Sequence, residues 1–244
     1  MKSISSAFAL ASILVVPHHA GAQLAATTNP WSVSVNFGAD NPISGNLVDG
    51  GIGTLNSMAV VVDPVSYGDV FGNGVQWRFS SGYMLWPGIE ILGIVSYAVA
   101  SGEPLQIGTA TAPLFADFSD RQEFGIEGGY RKYFAARRQW RPYAGGTLGL
   151  VFVDRIQANF TVPAVGTVQT SADLYDNSTA FTLSAHGGVL YEITEKVGIG
   201  GELGLRWRAG LSEIDDLQGS GLEKINDNSD RWSLPFNVVA RLRF

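Results

Sequence analysis

The chain has no cysteine among its 244 residues. That absence excludes a disulfide scaffold, a thiolate metal site and an anchor through a lipid-modified cysteine, so the fold must close by hydrogen bonding and packing. Charge is sparse at 16% of residues, and past the N-terminal segment no run of 18 uncharged apolar residues occurs. The densest stretch, residues 89–100, is too short for a spanning helix, so any membrane crossing must be made by strands. Histidine is scarce as well, with His186 the only one beyond residue 22. The acidic stretches (Asp117, Asp120; Asp215, Asp216, Glu223, Asp227, Asp230) lack the spacing of a calcium loop, and neither a metal nor a cofactor is expected.

What is present begins with an export signal. Lys2 supplies the positive start, residues 4–16 a largely apolar stretch with serines, and Ala20-Gly21-Ala22 a small-residue cleavage site. Residues 1–22 read as a cleaved signal peptide and residues 23–244 as one domain. Cleavage leaves 15 basic and 22 acidic residues, a formal charge of 15 − 22 = −7. An acidic exported chain is a poor partner for nucleic acid, and none is expected.

Period-two alternation then recurs eight times, in residues 31–38, 75–85, 89–100, 121–134, 140–154, 179–192, 196–208 and 231–244. The last segment is the clearest. Trp232, Leu234, Phe236, Val238, Ala240, Leu242 and Phe244 form one face, while Arg231, Ser233, Asn237, Arg241 and Arg243 lie on the other. The connections alternate in length. Residues 40–70, 101–119, 155–178 and 209–230 are long, whereas Trp86-Pro87-Gly88, residues 135–139 and the turn through Thr194 are short. Residues 40–70 are either a functional loop or strand extensions, and residues 155–178 contain β-like pieces that suggest a projecting hairpin.

Eight strands, alternating connections and a terminal aromatic on the apolar register resemble the small bacterial outer-membrane β-barrels of the OmpA/OmpX/OmpW type. The resemblance implies an all-β fold: a closed eight-stranded antiparallel up-and-down transmembrane barrel with four long external loops and three short periplasmic turns. Both termini then lie on the short-turn side. Aromatics at the short-turn ends (Trp31, Trp86, Phe134, Trp140, Tyr191, Phe244) and nearer the loops (Trp77, Tyr97, Phe181, Trp207, Trp232) predict two interfacial belts. A soluble carrier barrel would alternate too, with opposite polarity. The polar face here is mostly Gly, Ser, Ala and Thr with a few charges of both signs, which suits a cramped interior and not a water-facing surface.

The resemblance also implies outer-membrane lipids as surroundings, the barrel-assembly machinery acting on the C-terminal strand with Phe244 as its signal, an external ligand at the loops and a monomer. With the alternation running to residue 244, a peptidoglycan-binding domain after the barrel is not expected.

The lumenal face supplies the candidate site. Arg78, Glu127 and Glu202 are expected towards mid-height and Glu90, Arg131, Arg141, Glu192, Lys196 and Arg241 in a lower layer, with Arg206 also turned inward, all paired into a charge network. Three functions fit: a structural or surface-interaction barrel with a filled interior, a narrow porin-like channel for small solutes, or a membrane-embedded lipid hydrolase. The last would use Ser184, His186 and Glu202 as nucleophile, base and orienting carboxylate. A turn over residues 193–195 would place His186 directly opposite Glu202, because 186 + 202 equals 192 + 196. Lipid A deacylases, which such a grouping resembles, carry His-x-Ser, whereas this chain has Ser184-x-His186, and parity turns both side chains away from lipid. The non-enzymatic barrel is the preferred function.

Overall fold

The alternating segments form long strands because β-branched and aromatic residues fill one face while small and polar ones fill the other. The computed structural model describes residues 30–135, 138–214, 216–226 and 229–244. The expected signal peptide lies outside the described residues. In chain order, β1 (Trp31–Ser44), β2 (Asn46–Val48), β3 (Gly51–Leu55), β4 (Met58–Val62) and β5 (Val65–Ser66) lead into a short helix, α1 (Tyr67–Phe71). There follow β6 (Gly74–Trp86), β7 (Ile89–Ala100), β8 (Leu105–Thr109), β9 (Pro113–Phe118), β10 (Arg121–Tyr133) and β11 (Trp140–Val153). The chain continues through β12 (Ile156–Val162), β13 (Gly166–Tyr175), β14 (Ser178–Glu192), β15 (Val197–Arg208) and β16 (Arg231–Arg243).

Eight of these strands close a barrel in the order β1-β16-β15-β14-β11-β10-β7-β6, every neighbouring pair antiparallel. The closing strand β16 pairs with both β1 and β15, so no edge N–H or C=O is left open, as hydrocarbon requires. Its polarity is that of a membrane protein. Ile126, Leu203 and Leu242 face outward and are exposed, while Glu127, Glu202 and Arg241 are buried inside. Two aromatic belts are present, carried by pairs such as Trp31 with Tyr83 (4.9 Å) and Trp140 with Tyr191 (5.0 Å) at one end. At the other, Phe37 sits 4.4 Å from Trp77 and Phe181 6.3 Å from Trp207. Phe134 and Phe124, one in each belt of β10's outward register, are separated by about 33 Å along the strand at about 3.3 Å per residue. At a tilt of about 40° that gives an apolar band about 25 Å high, a good match to a membrane.

The long connections are more ordered than the sequence suggested. Strand β1 runs six residues past its expected end, to Ser44, and the second connection, read as a loop, holds the β8–β9 hairpin. The expected hairpin in the third connection is β12–β13. The first connection folds β2 to β5 and α1, a helix started by a reciprocal cap: the Ser66 hydroxyl accepts from the Asp69 amide and the Ser66 amide donates to the Asp69 carboxylate. It ends at Gly72, whose φ of 49° suits glycine.

These pieces assemble a second storey. Its six-stranded sheet, β13-β12-β9-β8-β4-β3, takes its hairpins in the order in which they rise from the barrel wall. The fourth connection spans the gap between the two edges. The Thr54 amide of β3 donates to the Ser220 carbonyl, while at β13 the Ile214 amide donates to the Leu174 carbonyl and the Asp173 amide to the Asp216 carboxylate. In this storey polarity inverts. Ile156, Ala158, Phe160 and Val162 of β12, Leu114 and Ala116 of β9, and Val60 and Val62 of β4 point into an apolar core with Leu47, Tyr67 and Leu222. Outward positions of β12 are polar, namely Gln157, Asn159 and Thr161. The same alternation therefore changes meaning along the chain, because the outer solvent changes from lipid to water.

Phe160, fully buried in the upper core, tests whether the two storeys are separable. Phe160→Ala is expected to cost about 3–5 kcal/mol of upper-storey packing while leaving the barrel closed. Limited proteolysis should then cut within residues 101–178 of the folded variant and spare the membrane strands.

Candidate functional site

The lumen is built by every second residue of eight strands, and its chemistry follows from the sequence positions that parity turns inward. Its charges form three layers joined by arginines. In the lower layer Glu90 accepts from Arg241 at 2.6 Å, from Tyr133 at 2.9 Å and from the Ser32 hydroxyl, with Arg131 at 3.6 Å. Arg131 also reaches Glu202 at 3.6 Å, tying this layer to the next. In the middle layer Arg78 binds Glu202 at 3.0 Å and approaches Glu127 at 3.9 Å, and Arg206 lies 3.7 Å from Glu127. Gln76 accepts from Arg206 at 3.2 Å and donates to Asn237 at 2.9 Å. Arg141 and Arg243 hold Glu192 at 3.1 and 2.6 Å near the short-turn rim.

The structure thus joins Arg78, Glu90, Glu127, Arg131, Arg141, Glu202, Arg206 and Arg241 in pairs. Lys196 departs from expectation: it precedes β15 and is exposed in the turn, so it takes no part in the lower layer. Sequence reading missed the third layer altogether. Glu123 is surrounded by Arg231, Arg121 (3.2 Å) and Arg208 (3.2 Å), and Arg208 also grips Asp40 at 2.6 Å. Asp40 lies beyond the last strictly alternating residue of the first segment, yet β1 continues to Ser44 and turns it inward. Arg121, Glu123, Arg208 and Arg231 share the inward parity of their strands, and that parity is the signal the sequence offers.

Above that layer the upper storey presses aromatic rings onto the guanidiniums. Arg231 lies 4.8 Å from the Tyr67 ring centre, and Arg121 lies 4.9 Å from that of Phe71. Burial raises the pKa of the Tyr67 phenol, which keeps this ring neutral beside two cations. The upper mouth is consequently covered by α1.

The hydrolase grouping is not assembled. Glu202 stands opposite Gly188, and His186 opposite Gly204, so the expected direct pairing of His186 with Glu202 is corrected by two residues. The cause is a longer turn after β14, in which the amides of Ile193 and Thr194 both bond to the Val197 carbonyl. A two-residue slip keeps every side chain on its face, so the lumenal assignment stands while the partner changes. His186 Nε2 is left at 3.9 Å from Glu202 as a diagonal neighbour, and neither ring nitrogen has a hydrogen-bond partner among the described residues. Ser184 shares its hydroxyl with Thr147, Oγ to Oγ1 2.6 Å, and not with His186. Ser184 and His186 both stand on the lumenal register, 6% and 7% exposed, and no hydrogen bond joins the hydroxyl to the ring that would have to act as its base.

Phe244 continues the outward register of β16, is half exposed, and donates its amide to the Trp31 carbonyl at 3.0 Å. The last residue thereby helps fasten the seam between the first and closing strands.

No protein-family model matches the sequence, and no curated protein matches it closely enough to count as a relative. Solved structures do match in shape. Neisserial surface protein A aligns with a TM-score of 0.51 at 17% identity over 88% of this chain and 97% of its own. Ail, the attachment invasion locus protein of Yersinia pestis, solved with the heparin analogue sucrose octasulfate, gives 0.38 at 11% identity over 87% and 99%. The outer membrane protease OmpT of Escherichia coli gives 0.42 at 9% identity over 89% and 98%. Identities this low speak to fold alone, and in fold the barrel's closure, its greasy exterior and the match to Neisserial surface protein A agree: this chain is a closed eight-stranded β-barrel of the bacterial outer-membrane type.

Proposed function

We propose that the protein is a structural or surface-interaction barrel of the outer membrane with a solid, non-conducting interior. The observation that carries this reading is double closure. Among the described residues, five of the six lumenal carboxylates (Glu90, Glu123, Glu127, Glu192 and Glu202) each meet at least two guanidiniums, and an apolar core covers the upper mouth. Moving an ion through would mean breaking buried pairs, each costly to separate, in an interior that eight strands make only wide enough for side chains. The upper storey offers a firm water-facing surface on which an external ligand could be recognised. Insertion by the barrel-assembly machinery would use β16 and Phe244, and the barrel would act as a monomer.

Planar-bilayer recording of the refolded protein tests the reading. No steady conductance is expected from the native chain. Reproducible unitary currents that change size in Arg78→Ala would overturn it in favour of a narrow channel.

A further inference from the structure

The lipid-facing wall is not uniformly bulky. Where β11, β14, β15 and β16 adjoin, the outward positions Ala144, Ala185, Gly187 and Gly201 are small, and two grooves of about 780 and 460 Å³ open there to the membrane, meeting at Gly187 and Leu203. Both run from the lower aromatic belt, Trp140 and Tyr191 in one and Phe134 in the other. A groove of small residues alone would say nothing of its occupant. The second observation is a charge. Lys132 lines the smaller groove and, among the described residues, is the only charged side chain turned outward between the two belts. It has no ion-pair or hydrogen-bond partner there.

An ammonium on a hydrocarbon-facing register is unfavourable unless its flexible stem carries it to the headgroup level, where a phosphate can meet it. Two adjoining apolar grooves with a cation at their rim match a molecule with two hydrocarbon chains and an anionic head. We propose that this wall binds one anionic phospholipid of the periplasmic leaflet, its two acyl chains in the paired grooves and its phosphate at Lys132. The leaflet follows from the short-turn end facing the periplasm.

The glycines make the test clean. A Cβ at Gly187 would come no nearer than 3.6 Å to the Tyr143 carbonyl and one at Gly201 no nearer than 3.9 Å to that of Asn237, so side chains added there fill the grooves without disturbing the wall. Native mass spectrometry of the full chain in mild detergent, titrated with phosphatidylglycerol or phosphatidylcholine of identical chains, is expected to show one retained phosphatidylglycerol. Lys132→Gln should lower the preference for phosphatidylglycerol about fivefold, the value of one basic residue near an anionic surface. The double variant Gly187→Leu/Gly201→Leu should lose retention of both lipids at least about tenfold with unchanged heat-modifiable migration. If that variant fails to fold, Ala185→Phe carries the same test. Undiminished retention in the filled variants, or no retained lipid in the native chain, overturns the proposal. A native dimer that the filled variants turn into monomer would assign the grooves to a second copy instead.

Discussion

Gly200→Ala is expected to weaken barrel closure by about 3 kcal/mol, while Gly201→Ala one residue later changes stability by less than about 0.5 kcal/mol. A Cβ at Gly200 would stand 2.0 Å from the Val189 carbonyl oxygen and 2.9 Å from its carbon, both backbone atoms of the adjacent strand. Neither can retreat without breaking the β14–β15 ladder. At Gly201 the nearest atom is a carbonyl oxygen at 3.9 Å, an ordinary contact. Urea unfolding in lipid vesicles, followed by the mobility of unheated samples on gels, measures both. Equal midpoints for the two variants would mean that the wall yields locally, and steric crowding would not be the reason for glycine at residue 200.

Glu123→Ala is expected to be the most damaging loss of a single charge, costing about 3–5 kcal/mol. The side chain is buried among Arg121, Arg208 and Arg231, and its removal leaves Asp40 as the nearest remaining counter-charge for three guanidiniums. Desolvation of the arginines persists when the carboxylate goes, so the penalty exceeds what the pairs contribute by their own attraction. Replacing Glu123 and Arg231 together by leucine and methionine should recover part of the loss, because the unpaired charge goes with its partner. Arg155, exposed in the upper storey and paired with Asp173 at 2.7 Å, supplies the contrast: Arg155→Ala should leave the unfolding midpoint unmoved within error. Comparable effects at Glu123 and Arg155 would show that the upper lumenal layer is hydrated and adds little to stability.

The two expectations draw on different sources. Glu123 could be placed inside from the period of its strand alone, since Phe124 and Ile126 bracket the apolar face and parity does the rest. Parity puts Gly200 on the lumenal face and Gly201 on the lipid face, but nothing in a one-dimensional pattern says which of the two a side chain would crowd. Whether a glycine is required depends on how closely a neighbouring strand's carbonyl approaches it. The same limit applies to His186 and Glu202: their common face was legible, but their pairing hung on a turn two residues longer than expected, and turn geometry is written in backbone hydrogen bonds.

By itself the sequence determined eight strands, their two faces, the closing role of residues 231–243 and the presence of a charged lumen. Alternation is a local property, and each strand carries its own copy of the signal. Tertiary structure alone decided that Asp40, Arg121, Glu123, Arg208 and Arg231 make a third layer, and that the long connections build an upper storey with an inverted, apolar core. Those facts depend on which distant segments meet. In the barrel the small residues of the polar face already say which side is in, whereas in β4, β9 and β12 it takes the neighbouring strands and the water outside them to turn the apolar side inward.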